Sequence, residues 1–336
     1  MEKMSRRIKA LAQNVATHPA LNNDFYERWI GGALDVRDLE IFARNYWSRT
    51  VNTSTMVARS LIHASHLSAK VEIARHLFYE FGQGHLAKAH IVLLQNYLLD
   101  LLSRATGRAY SMVDLEHVPV LATTRYFIKE QQDLYQQEGQ PGGSLRVLGA
   151  LLAQQWLAFS MLTRLYEGAR NYKFLYASDD DFHQHCEYFY VHIADAEKDH
   201  KEQAIRAASA ECKTLEDFEY LSTAFSNFLH VTELYWRGIS RAMSSSTPRN
   251  VALKARSVSC ERASVGRACR MISVSGSGGS PSCSPTSIAP AGATRFANAA
   301  TPSPALTAAR RIPRSRRSRH HRRTRSDRGT RQYALQ

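Results

Sequence analysis

Apolar residues recur every three or four positions through most of the first 244 residues, which is the spacing of amphipathic helices. Ile8, Leu11 and Val15 show this spacing near the start of the chain. The pattern is interrupted by turn-forming sequences such as Gly31-Gly32 and EGQPGGS (138–144), and no segment alternates as a strand does. The sequence therefore predicts an all-α fold of about seven or eight helices. Four of the predicted helices cover residues 68–81, 86–102, 145–172 and one long segment from 179 to beyond 200.

A glycine-rich turn separates the first two of these predicted helices, 68–81 and 86–102. Glu80 lies at the end of one predicted helix, Gly82 and Gly84 interrupt the apolar pattern, and His85 and His90 lie near the start of the next helix. Because glycine adopts backbone conformations closed to other residues, the two helices can meet here at an angle. A carboxylate and an imidazole can then point into one pocket.

A second polar cluster, HIADAEKDH, occupies residues 192–200. Glu197 and His200 are three residues apart, so a helix places them on one face, and such Glu-x-x-His pairs bind metal in carboxylate-bridged iron proteins. Pairs of this kind are also common on solvated helix surfaces, so the motif gains meaning only in combination with the glycine break. Nitrogen and oxygen ligands without thiolates suit iron or manganese as readily as zinc.

Charge divides the chain into two parts. The net charge is +14, but residues 245–336 contain 18 of the 44 Lys and Arg residues and only 2 of the 30 Asp and Glu residues. The first 244 residues are therefore close to neutral, and the basic character belongs to the C-terminal part. We predict a helical domain over 1–244 and a disordered Arg/Ser/Pro-rich tail over 245–336.

The tail has three possible interpretations. It contains few large apolar residues that could offset the entropy of ordering, which favours a solvated disordered extension. Its abrupt change of composition is also typical of out-of-frame translation. A third interpretation is an Arg-rich arm that binds nucleic acid, although the tail lacks the interleaved aromatic residues that single-strand binders use.

Cysteine usage and apolar run lengths indicate the compartment. The five cysteines show no CxxC spacing, which fits a reducing cytosol better than a disulfide framework. We found no uninterrupted run of about 18 apolar residues, and the N-terminus lacks the apolar core of a secretory signal. We therefore predict a cytoplasmic protein that does not span a membrane.

Four segments resemble a known family. EFGQG from Glu80, followed by His90, resembles the "E-x-x-G-x-G…H" signature of the haem-oxygenase-like iron-containing oxidases. LGALLAQQW (148–156) is similar to the helix that supplies their second carboxylate, and YFYVHIADAEKDHKEQ (188–203) to their closing helix. FYERWIGGALDVRDLEIFARNYW (25–47) resembles their opening helices. The resemblance covers residues 1 to about 244 and none of the tail.

The resemblance implies a haem-oxygenase-like bundle of about seven helices, related to the pyrroloquinoline-quinone synthase and thiaminase-like fold. It implies a non-haem di-iron centre that activates O2. Carried over by position, Glu80, His90, Glu197 and His200 would bind iron, with His192 as an auxiliary ligand.

Two positions depart from the family pattern. Gln155 stands where the family has a carboxylate, and Ile193 stands where the closing motif has its first histidine. His192 is one residue away from that position. The pattern therefore supports one iron site better than two.

These observations lead to three functional hypotheses. The first is an iron-dependent oxidase or oxygenase that acts with O2 on a small amine- or acid-bearing metabolite. A homodimer is compatible with this hypothesis. The second is a helical binding protein that has lost the metal centre, or a cofactorless oxidase of the same fold. The third is nucleic-acid binding through the tail alone.

Overall fold

The computed structural model describes residues 2–193 and 195–244, without the side chains of 195–199. The predicted tail, 245–336, lies outside the described residues. The described residues form thirteen α-helical segments and no strand. The helices are α1 (Glu2–Gln13), α2 (Asp24–Gly31), α3 (Val36–Thr50), α4 (Thr53–His63), α5 (Leu67–Glu80), α6 (His90–Thr106), α7 (Met112–Glu116), α8 (Ala122–Leu134), α9 (Gly143–Ala169), α10 (Asp179–His185), α11 (Glu187–Ile193), α12 (Asp195–Glu211) and α13 (Leu215–Ser244).

Seven of the helices in the described part have 13 residues or more, namely α3, α5, α6, α8, α9, α12 and α13. The prediction of about seven helices therefore corresponds to the long elements of the bundle, and the shorter helices precede them or lie between them.

Helix α9 is the central element of the bundle. It packs against α13 along much of its length and also contacts α2, α4, α11 and α12. The close approach of α9 to α13 depends on Gly149, because a Cβ atom at this position would overlap the Leu221 carbonyl oxygen. One segment of the described chain, Gly143–Leu175, is long and apolar enough to cross a membrane, and 72% of its most apolar window is buried in the bundle. Such burial is also expected of a core helix in a bundle.

Aromatic side chains fill the space between α2, α3 and α13. Phe25 stacks on Phe42 at 5.5 Å and on Trp236 at 4.4 Å between ring centroids, and Trp29 lies 4.7 Å from Phe42. All four rings are buried. Stacked and tilted ring pairs at these distances contribute stability beyond that of the apolar area they bury. They therefore fix the position of α3 relative to α2 and α13.

Several helix starts follow the local signals in the sequence. The side chain of Asn23 accepts a hydrogen bond from the Tyr26 amide at the start of α2. The Ser178 hydroxyl accepts one from the Asp181 amide at the start of α10. Both are N-caps that satisfy amides without a partner inside the helix.

Two helix predictions were wrong. The segment predicted as one helix from 179 to beyond 200 is interrupted at Cys186, where α10 ends and α11 begins. The helix predicted over 86–102 begins four residues later, at His90, and a short 3₁₀ helix, Leu86–Lys88, precedes it. In both places the apolar spacing continues across the change of direction, so periodicity alone could not detect the breaks.

Candidate metal centre

The glycine break sets the geometry between α5 and α6. Gly82 has φ of +62° and Gly84 has φ of +89°, a region that glycine adopts without steric cost. The chain folds so tightly that a Cβ atom on Gly82 would lie 2.5 Å from the Ala89 nitrogen and 2.7 Å from the Lys88 oxygen. This turn brings the last residue of α5 beside the first residue of α6.

Three side chains meet at that point. Glu80 ends α5, His90 begins α6 and His192 lies near the end of α11. Each offers one ligand atom, and these atoms lie within 4.8 Å of one another. The His90 Nδ1 atom is 3.5 Å from Glu80 Oε2, and the His90 and His192 rings are 4.2 Å apart between centroids. The three residues form a compact group that could hold a metal ion.

The histidine at position 192 is oriented by the backbone of its own helix. Its Nδ1 atom lies 2.6 Å from the Tyr188 carbonyl oxygen. A carbonyl only accepts hydrogen bonds, so Nδ1 carries the proton and donates it, and the lone pair of the neutral ring is on Nε2. Metal-binding histidines are commonly fixed in this way. The tautomer of His192 therefore suits a ligand.

The Glu80 carboxyl is nearly buried, with 10% of its side chain exposed. Burial by itself raises its pKa, but hydrogen bonds and charge interactions with His76 and His90 outweigh this effect and hold the pKa well below 4.5. Glu80 is therefore a carboxylate at neutral pH, which is the form that binds cations.

His76 is a contact that the sequence interpretation missed. Its Nε2 atom lies 3.3 Å from Glu80 Oε1, so His76 and His90 engage different oxygens of the same carboxylate. The available signal was the i, i+4 spacing of His76 and Glu80 on α5, which places both side chains on one helix face.

His200 lies next to His76. Their rings are 4.6 Å apart between centroids, and Tyr79 is 5.3 Å from His200. His200 is buried, and it is not in the three-residue group around His90. The side chain of Glu197 lies outside the described residues. The roles of His200 and Glu197 as ligands stay predictions.

The group of Glu80, His90 and His192 forms part of the wall of a cavity of about 80 Å³. Since one water molecule needs roughly 10–15 Å³ by the same measure, the space exceeds that of a single buried water. Gln155 also lines the cavity and is buried. Gln155 therefore lines the site with a neutral amide, at the position where the sequence comparison with the iron-containing oxidases predicted a carboxylate.

A tyrosine pair and an arginine complete the polar part of the wall. The hydroxyls of Tyr46 and Tyr188 are 2.8 Å apart. Burial raises the pKa of both phenols, so both are neutral and one donates to the other. Arg49, one turn after Tyr46 on α3, also lines the cavity.

No family model matches the sequence, and no curated protein matches it. Solved structures do share its fold. A CADD-like protein of unknown function from Nostoc punctiforme is 16% identical, with a TM-score of 0.55 over 72% of this chain and 99% of its own. A TenA homolog from Pseudomonas syringae pv. tomato is 10% identical, with a TM-score of 0.54 over 70% of this chain and 92% of its own.

At these identities the comparisons show the fold alone. They confirm the predicted all-α fold, which this chain shares with the CADD-like protein and the TenA homolog. The cofactor and the reaction must be argued from the residues of this chain.

Proposed function

We propose that this protein is a metal-dependent oxidase or oxygenase whose Glu80, His90 and His192 bind one ferrous ion. The observation that carries the proposal is the donor set itself: two imidazoles and one carboxylate on a cavity wall. This set, with coordination positions left for other ligands, is typical of non-haem Fe(II) oxygenases. The tautomer of His192 and the anionic state of Glu80 also fit a divalent cation.

When bound, the iron would supply O2 activation, and the protein would supply geometry and an enclosed site. His76 holds Oε1 of Glu80 and so limits rotation of the carboxylate. The Tyr188 carbonyl fixes the ring of His192 in the same way. Leu157 and Leu162 line the cavity and exclude water from its apolar side. The substrate in this proposal is a small organic metabolite that fits the cavity.

The direct experiment loads the full-length protein with Fe(II) without oxygen and then measures O2 consumption with a panel of small amines and acids. We expect substrate-dependent O2 uptake that His192→Gln abolishes. His85→Gln is the matched control, because His85 is exposed on the same glycine break. Equal O2 uptake in both variants would contradict the proposal.

The second candidate is a binding protein of the same fold without a metal. The observation that favours it is Gln155, a neutral side chain where the family has a carboxylate. In this case the parent protein binds no iron, and Gln155→Glu creates an iron site. Iron in the parent protein, measured as metal content after desalting, would exclude this candidate.

A further inference from the structure

Arg49 is a buried cation in the cavity wall. Only 7% of its surface is exposed. Its guanidinium lies 4.8 Å from the Phe127 ring centroid and 5.2 Å from that of Tyr235. Its Nη1 atom is 3.3 Å from the Met161 sulfur, which is a weak acceptor, and its Nε atom is buried without a hydrogen-bond partner.

No carboxylate of the described residues forms an ion pair with Arg49. Aromatic faces attract a guanidinium, but they do not satisfy its N–H donors. A buried charge without a counter-ion is costly and is normally paired. Glu80, the carboxylate on the same cavity wall, already has His76 and His90 as partners. Arg49 is therefore suited to pair with an anion that enters the cavity.

Gln154 provides a second donor on the same wall. Its Oε1 atom accepts a hydrogen bond of 3.0 Å from the Tyr135 hydroxyl, which fixes the orientation of the amide. Its Nε2 atom is buried and has no hydrogen-bond partner. Arg49 and Gln154 both line the cavity. Two donor groups with unused N–H bonds match the acceptor oxygens of a carboxylate.

The other residues that line the cavity determine what the ligand must be besides an anion. Leu157, Met161, Leu162 and Phe228 contribute apolar surface. An amine would bring a second positive charge near the guanidinium, which is unfavourable in a buried site. An acid with an apolar body can pair its carboxylate with the donors of Arg49 and Gln154 and place its body against the apolar side chains.

We propose that Arg49 and Gln154 form a carboxylate-binding subsite, and that the cavity takes a small organic acid with an apolar body. The acid group pairs with Arg49, and the apolar body occupies the space toward Glu80, His90 and His192. Only the placement of the apolar body toward Glu80, His90 and His192 rests on the proposed function, because binding of the acid itself needs no metal.

The test uses calorimetric titration of the metal-free, full-length protein with butyrate, hexanoate and octanoate. Hexanol and hexylamine serve as matched probes without the carboxylate. We expect hexanoate to bind about tenfold or more tightly than hexanol and hexylamine, which have the same chain length. Hydrogen bonds to a charged group are worth about 1.5–3 kcal/mol, and this range converts to a factor of ten or more. Arg49→Gln should remove this preference, and Arg49→Lys should keep part of it.

The same titrations contain the results that would overturn the subsite. These are no binding of any of the three acids, equal affinity for hexanoate and hexanol, or unchanged acid binding in folded Arg49→Gln protein. If that variant does not fold, the comparison of acid and alcohol in the parent protein still decides. Iron content, measured separately in the parent, tests the metal proposal independently. If the parent protein binds the acid but takes up no iron, the carboxylate-binding subsite is supported and the proposal of an iron-dependent oxidase is contradicted.

Discussion

Replacing Gly82 with alanine should disrupt both the fold and the candidate site. Gly82 has φ of +62°, and an added Cβ would lie 2.5 Å from the Ala89 nitrogen and 2.7 Å from the Lys88 oxygen. These are backbone atoms next to the start of α6, so the overlap cannot be relieved by rotating a side chain. The turn must open, and His90 then moves away from Glu80.

Gly84→Ala is the matched control. Gly84 has φ of +89°, but no heavy atom lies within 4 Å of its added Cβ. Both substitutions carry the strain of a left-handed backbone, about 1–2 kcal/mol. Only Gly82→Ala adds a steric overlap, worth about 1–3 kcal/mol in closely packed sites. We therefore expect Gly82→Ala to cost about 2–5 kcal/mol and Gly84→Ala about 1–2 kcal/mol.

Two assays separate these effects. Urea unfolding of the metal-free proteins gives the free energies of unfolding, and titration with Fe(II) gives the affinity of the site. We expect Gly82→Ala to lower both and Gly84→Ala to keep most of the metal affinity. If the two variants have the same stability and the same metal affinity, then the tight turn at Gly82 does not control the position of His90.

Three further predictions concern single residues. Because the folded protein lowers the pKa of Glu80, its carboxylate stabilises the fold above pH 4.5, and this contribution is lost as pH falls through the folded pKa. The difference in urea midpoint between metal-free parent and Glu80→Gln should therefore shrink from pH 7 to pH 3, and a constant difference would refute this. His76→Ala should weaken metal binding by about 10–100-fold because it frees Glu80 Oε1, whereas exposed His85→Ala should not; equal affinities in titration would show that His76 does not position the carboxylate. Gly149→Ala should destabilise the protein by about 1–3 kcal/mol in urea unfolding, because its Cβ overlaps the Leu221 carbonyl; parent-like stability would mean that α9 and α13 separate without cost.

The helical fold class could be predicted because it depends on local information. Apolar spacing and N-caps such as Asn23 and Ser178 are visible in the sequence, and the structure has helices where they indicate them. The break at Cys186, between α10 and α11, could not be predicted, because neither proline nor glycine occurs between residues 178 and 200.

Part of the candidate site could also be predicted. The structure brings Glu80 and His90 together across the glycine break, as the sequence indicated. His192 was expected only as an auxiliary residue, because it is one position away from the family pattern. In the structure its ring lies 4.2 Å from that of His90 between centroids, and it joins the group directly.

The role of Arg49 in the cavity wall could not be predicted from the sequence. It lies on α3, and its aromatic neighbours Phe127 and Tyr235 come from α8 and α13. Its burial without a carboxylate partner depends on which helices meet there. Local spacing contains no signal for such a tertiary arrangement.

The central claim is that Glu80, His90 and His192 hold a metal ion. The most direct measurement is the iron content of the full-length protein after anaerobic loading with Fe(II) and desalting. The parent and His85→Gln should each retain about one ion per chain, and Glu80→Gln and His192→Gln should retain almost none. A parent protein without iron, or equal iron content in all four proteins, would contradict the claim.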